Sequence, residues 1–292
     1  MLFKYIHFYS NPANTLDLDN IIVPEIQNYF PNCTIDTRQP LLTYIDDIIA
    51  ESLVSMRVSE IKKPYNEQPD RGHQPRLKNI EDAAYEKNFP RRLIVNDFDP
   101  NTNTNINTTA GQYKELILYD GFMMQGLLRT MIPENEATTD HVHVVVEDRL
   151  ICTFSEQDWR YHARAVVCGV PAIISTTGIV EAPAKPKEWY IKQMQFSIYG
   201  MKPDEENNEI SNKKEFTGNM YLDYCDDRIN LVTVGYVLQA LFFFISNGDP
   251  FCYDRNCRLF DAHWQEELIH SQIENQKLCN KHASLLHQFN IG

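Results

Sequence analysis

Ile229-Asn-Leu-Val-Thr-Val-Gly-Tyr-Val-Leu-Gln-Ala-Leu-Phe-Phe-Phe-Ile-Ser-Asn-Gly-Asp-Pro-Phe-Cys252-Tyr-Asp-Arg-Asn-Cys257 is the stretch on which the architecture turns. Residues 229–246 carry no charge, but Asn230, Thr233, Gln239 and Ser246 interrupt the apolar run. A lipid-spanning helix needs about 20 mainly apolar residues. This run is borderline in length, and it opens directly into a polar loop. It therefore predicts a buried core helix over about 227–246 and no membrane span. Asn247-Gly248 is its stop signal, because glycine tolerates the left-handed conformation that ends helices. Two cysteines with four residues between them then follow at once.

Downstream lies Cys279-Asn-Lys-His282. Zinc takes four nitrogen or sulfur ligands at about 2.0–2.3 Å in a tetrahedron. Closely spaced pairs let one loop fill two corners, and about 15–25 residues between pairs is common in zinc modules. The expectation is one structural Zn2+ on Cys252, Cys257, Cys279 and His282, with His263 and His287 as alternative nitrogen donors. The interval is predicted to hold a helix over about 261–275, with Asp261 as N-cap and Trp264, Leu268 and Ile269 on its buried side.

These residues resemble the archaemetzincins, which carry H-E-x-x-H-x-x-G-x-x-H, then C-x4-C at once, and later C-x-x-C. The C-x4-C falls on Cys252 and Cys257 and the glycine on Gly248; the later pair falls on Cys279 and His282, two residues farther on and with His for the last Cys. The three catalytic histidine positions fall on Leu241, Ile245 and Phe251, and the glutamate on Phe242. The resemblance thus implies a degenerate metzincin that retains the fold and the structural zinc and lacks the peptidase zinc. Its motif support covers roughly the last 60 residues. The chain is also similar to an archaeal family labelled as metallopeptidase, a label that would rest on fold kinship and not on a preserved active site.

Upstream, alternation predicts strands at 3–10, 33–37, 93–95, 116–119, 141–146, 150–154, 160–167 and 172–180. Helical spacing predicts helices at 20–30, 41–57, 121–131 and 187–200. Residues 58–90 read as a polar loop or insertion, and 101–109 and 202–217 as loops. The fold class expected is α/β: a mixed β-sheet with flanking helices, metzincin-like, ending in a zinc-clamped helical subdomain. The boundaries are 1–225 for the mixed α/β region and 226–292 for the core helix and zinc subdomain, forming one compact unit.

Composition narrows the function classes. With 43% hydrophobic and 23% charged residues the chain expects a packed core. A formal charge of −13 opposes nucleic-acid binding through a broad basic face. The start, Met-Leu-Phe-Lys-Tyr-Ile, lacks the pattern of a signal peptide, and seven cysteines, an odd number, argue against a secreted disulfide framework. The expected location is the cytoplasm.

Other residues offer weaker chemistry. Arg160, His162 and Arg164 share one strand face, a candidate recognition surface for a peptide or small anion in the former cleft; the plainer account is an exposed face paired with Glu156 and Asp158. His141 and His143 share another, with Glu147 in phase, and His263, Glu267 and His270 share a helix face. Either set is a candidate second metal site, and a solvated surface is the simpler account of the latter. Ser175-Thr-Thr-Gly178 lacks a nucleophile elbow and reads as a strand end; no phosphate-binding glycine loop is present. Three functions remain: a zinc-binding protein without zincin activity, a metal-dependent hydrolase using a different His/carboxylate site, and a structural interaction module.

Overall fold

The computed structural model describes residues 2–10, 16–61, 80–87, 116–191, 194, 221–224 and 226–292. The strand expected at 93–95, the loops at 101–109 and 202–217, and most of the second half of the 187–200 helix lie outside them. The elements are β1 (Tyr5–Tyr9), α1 (Val23–Tyr29, entered through a π-turn at Leu18–Ile22), β2 (Thr34–Arg38), α2 (Asp47–Ser55), β3 (Arg57–Ile61), α3 (Ile80–Lys87), β4 (Leu116–Asp120) and α4 (Gly121–Arg129). They continue with β5 (His141–Glu147), β6 (Leu150–Ser155), β7 (Arg160–Arg164), β8 (Val166–Val167), β9 (Ala172–Ser175), α5 (Thr176–Glu181), α6 (Ile229–Ile245), α7 (Gln265–Ile269) and α8 (Asn280–Ile291).

The strands form two sheets, β2-β1-β5-β9-β8 and β3-β4-β6-β7. In the first, β1 runs parallel to β2 and β5, and β5 parallel to β9, while β8 is antiparallel. Such strands are covered on both faces, and their sequences show it: Val142 and Val144–Val146 in β5, and Ala172–Ile174 in β9, are all buried. Ile6, Phe8, Val142, Val144, Ala172 and Ile174 pack into one core with α1, α6 and α8. Tyr9, Val145 and Ile173 join a second core with Leu53 of α2 and Met124 and Leu128 of α4. The α/β class with mixed sheets and flanking helices is therefore as expected.

The predicted 227–246 helix is α6, buried on nearly every side from Ile229 to Phe242. It ends where expected, with Asn247 and Gly248 both at positive φ (55° and 93°). No helix among the described residues is long and apolar enough to cross a membrane. Close packing on α6 depends on Gly235, since a Cβ there would lie 1.3 Å from Oε1 of the buried Gln272.

Four expectations need correction. Residues 58–90 are not simply loop, because they contribute most of β3 and all of α3. Glu86 of α3 is fully buried, and Arg57 Nη2 (2.7 Å), Tyr119 Oη (2.7 Å) and Arg149 Nη2 (3.1 Å) donate to its carboxylate. The 160–167 strand breaks at Ala165, so that β7 belongs to one sheet and β8 to the other. The 172–180 strand stops at Ser175, whose Oγ accepts from Gly178 N (2.8 Å) and caps α5. Finally, the 261–275 helix starts at Gln265, not after Asp261, with Glu267 accepting from Trp264 N in a capping box, and it continues as a π-turn from His270 to Asn275.

Candidate metal centre

The loop after α6 is folded by its own backbone. Cys252 N donates to Leu259 O (2.8 Å), Asp261 N to Cys252 O (3.1 Å) and Cys257 N to Asp254 O (2.9 Å). These bonds turn both sulfurs inward. Cys279 is the N-cap residue of α8, and His282 sits in that helix's first turn. α8 is anchored by buried Phe289, whose ring lies 4.6 Å from Phe3 and 5.5 Å from Phe30. The helix therefore presents Cys279 and His282 to the loop as a fixed pair.

The four donors converge. Cys252 Sγ and Cys279 Sγ are 3.8 Å apart, and His282 Nδ1 is 3.6 Å from Cys257 Sγ and 3.1 Å from Cys279 Sγ. Two sulfurs on one tetrahedral zinc stand about 3.8 Å apart, and a sulfur and a nitrogen about 3.6 Å. A disulfide would need about 2.05 Å. The cluster thus has the donor set of a tetrahedral metal site, with two of these edges at the expected length and the Cys279–His282 edge about 0.5 Å shorter. His282 is the histidine brought to it, whereas His263 and His287 are exposed.

Electrostatics point the same way. Burial pushes the Cys257 thiol up to about 12 and raises Cys252. At Cys279 burial also raises the thiol, but the His282 backbone N–H and neighbouring donors outweigh it and leave it below the usual range. Burial holds the His282 imidazole below its ordinary value, so it is neutral, the form that ligates metals. The buried thiols of Cys252 and Cys257 are costly to ionise without a cation, so a metal bound at this cluster would release protons.

A second convergence lies on the first sheet, on the face away from α6. His7 pairs in register with Asp36 of β2 and His143 of β5. Asp36 Oδ1 lies 2.7 Å from His7 Nδ1, and His7 Nε2 lies 2.7 Å from His141 Nδ1. Tyr9 Oη donates to His143 Nδ1 (3.1 Å), and His143 Nε2 donates to Glu136 O (3.1 Å). Arg38 binds both carboxylates, with Nη2 3.0 Å from Asp36 Oδ2 and 3.0 Å from Glu136 Oε1. The Arg38 guanidinium holds the Glu136 carboxyl below its usual range; at Asp36 burial pushes upward, but His7 and Arg38 prevail and lower it. His7, His141 and Glu136 place one ligating atom each within 4.8 Å of the others.

Among the described residues these are the two groupings of three or more metal-ligating side chains. The histidine pair His141 and His143 is thus divided: His141 joins His7 and Glu136, while His143 is held by Tyr9 and a backbone carbonyl. Glu147 instead binds Arg149 (Oε1–Nη1 3.0 Å). His263, Glu267 and His270 do not converge. Glu267 accepts from His263 N and Trp264 N, and His270 bonds Glu274 (3.1 Å) and Asn256 (2.9 Å). On β7, His162 is tied to Asp158 (2.8 Å) and Arg164 to Thr153 (2.9 Å), while Arg160 and Arg164 remain exposed. His7, Asp36 and Glu136 were not foreseen. The available signal was parity: in the 3–10 strand His7 falls in phase with Tyr5 and Tyr9, opposite apolar Ile6 and Phe8, as His141 and His143 oppose Val142 and Val144.

The chain matches no curated protein and no solved structure. One family profile, described as "Probable metallopeptidase family (DUF6775)", matches residues 2–289. A match of that extent takes in both sheets, α6 and the Cys/His cluster, and the chain belongs to this family.

Proposed function

We propose that this chain is a zinc-binding protein of metzincin-like ancestry, retaining a structural zinc on Cys252, Cys257, Cys279 and His282 and having lost the peptidase zinc. What carries the reading is one juxtaposition. Four donors converge at tetrahedral spacing against α6, while the positions where an archaemetzincin holds its catalytic donors are Leu241, Phe242, Ile245 and Phe251. Leu241 and Phe242 are fully buried, and the Phe242 ring meets the His282 ring edge-to-face at 5.6 Å. Hydrocarbon side chains neither ligate a metal nor transfer a proton. On this reading α6 is packed core that backs the zinc site, and the closed Cys3His ion contributes folding energy to residues 252–292.

The partner in this reading is a peptide or small anion, met by the exposed guanidinium groups of Arg160 and Arg164 beside His162. The net charge of −13 disfavours nucleic acid. Reduced thiols as ligands suit a reducing compartment, and the reading puts the chain in the cytoplasm. The test is incubation of zinc-replete protein with a quenched-fluorescence peptide library, alongside binding of acidic peptides to wild type and to an Arg160→Ala, Arg164→Ala variant. The reading expects no chelator-sensitive cleavage, and weaker peptide binding by the variant. Chelator-sensitive cleavage by purified protein would overturn the loss of peptidase chemistry; equal binding by both proteins would remove β7 as the recognition face.

A further inference from the structure

We infer that His7, His141 and Glu136 form a second, independent binding site for a divalent first-row transition metal, on the sheet face opposite α6. The three donors come from β1, from β5 and from the short 3-10 turn Glu134–Glu136, so strand register and not a local loop brings them together. Two imidazoles and one carboxylate are a donor set for zinc or iron(II), and three protein ligands leave a corner for water.

The surroundings are those of a metal site. A histidine that ligates a metal through one nitrogen almost always donates its other N–H to a carboxylate or carbonyl, which fixes ring and tautomer. Asp36 does this for His7: with Nδ1–H donating to Asp36 Oδ1 at 2.7 Å, the Nε2 lone pair faces His141. Asp36 is itself gripped by Arg38, through Nε at 3.2 Å and Nη2 at 3.0 Å. Arg38 also holds Glu136, but a carboxylate has about four lone-pair sites, so the contact orients the group without using it up. Two carboxylates, Asp36 and Glu136, face the single guanidinium of Arg38, and this excess of acidic groups favours a cation.

The metal would take the place of one proton. In the metal-free arrangement His141 Nδ1–H donates to His7 Nε2 across 2.7 Å, with the ring planes 21° apart. Two imidazole nitrogens on one tetrahedral zinc stand about 3.3 Å apart. Binding therefore requires His141 to carry its proton on Nε2 instead of Nδ1, and a separation larger by about 0.6 Å. His141 is the ring able to move, since it is half-buried whereas His7 is buried between β2 and β5. The Tyr5 ring stacks on His141, with ring centroids 4.5 Å apart.

The test uses full-length protein stripped of metal and titrated with Co2+, reading metal bound per chain and the near-ultraviolet thiolate-to-cobalt charge-transfer band. The expected result is two equivalents, one with the thiolate band and one without it. A Cys252→Ser, Cys257→Ser double variant should remove the band and spare the second equivalent. His141→Ala should remove the second equivalent and spare the band, and Asp36→Asn, which weakens the orienting contact to His7 and the ion pair with Arg38, should weaken it by about 10–100-fold. Retention of the band also reports that His141→Ala is folded. Absence of a band-free equivalent in wild type, or its undiminished binding by His141→Ala, would overturn the inference.

Discussion

If α6 is filled core where an active zincin keeps an open catalytic cleft, truncating Phe242 must be expensive. Phe242 has no solvent exposure, and its ring lies at 83° to that of His282. Phe→Ala in a packed core costs about 3–5 kcal/mol, from lost transfer energy plus the cavity left behind. About 0.5–1.5 kcal/mol of that corresponds to the edge-to-face aromatic pair. Set against a typical total of about 5–15 kcal/mol, the loss is a large fraction of the stability. The assay is denaturant unfolding of metal-replete Phe242→Ala beside Phe122→Ala, whose side chain on α4 is 60% exposed and should change stability by no more than about 0.5 kcal/mol. If Phe242→Ala costs under about 1 kcal/mol, the side chain borders open space, and the argument that the catalytic position has become core fails.

Other consequences follow from the same packing. Glu86→Ala leaves the buried Arg57 and Arg149 guanidinium groups without their shared carboxylate and should cost about 3–5 kcal/mol in equilibrium unfolding. Gly235→Ala gains about 1 kcal/mol of helix propensity but forces Gln272 aside, at about 1–3 kcal/mol, so a net loss of up to about 2 kcal/mol is expected in thermal unfolding. Burial raises Cys33 to about 11 and Cys152 and Cys168 to about 12. Only on the order of 10⁻³ to 10⁻⁴ of these thiols is then ionised at pH 8, so native labelling by a thiol reagent should be slow and should accelerate about tenfold per pH unit as pH rises. Mass spectrometry of labelled peptides reads this directly, and rapid native labelling of Cys152 would contradict its burial.

The Cys/His cluster was the most legible part of the sequence because its residues are paired at short spacing, and because the helix before it has a clear stop at Asn247-Gly248. The central strands were legible through alternation and valine-rich runs. Where β-branched residues outnumbered other cues the reading went too far: Ile179 and Val180 looked like strand, but Ser175 caps a helix before them. β3 and α3 were hidden in a polar stretch because the contacts of α3 include ion pairs of Asp82, Glu86 and Lys87, which give no apolar period to read. α8 was not anticipated; its two buried side chains, His282 and Phe289, are seven residues apart, too sparse for a period. The His7 cluster was only half visible, because its contacts join residues 29 and 134 positions apart and depend on which strands lie side by side. Parity along each strand could be read in advance, but the parallel pairing of β1 with β2 and β5 could not.

The most direct test of the central claim is the thiolate-to-cobalt charge-transfer absorption of Co2+-loaded wild type beside a Cys252→Ser, Cys257→Ser double variant. The band reports sulfur ligation alone and is blind to any histidine–carboxylate site. The account predicts one equivalent of thiolate-bound cobalt in wild type, displaced by Zn2+, and no band in the variant. A wild type without the band, or a variant that retains it undiminished, would contradict a metal held by Cys252, Cys257, Cys279 and His282.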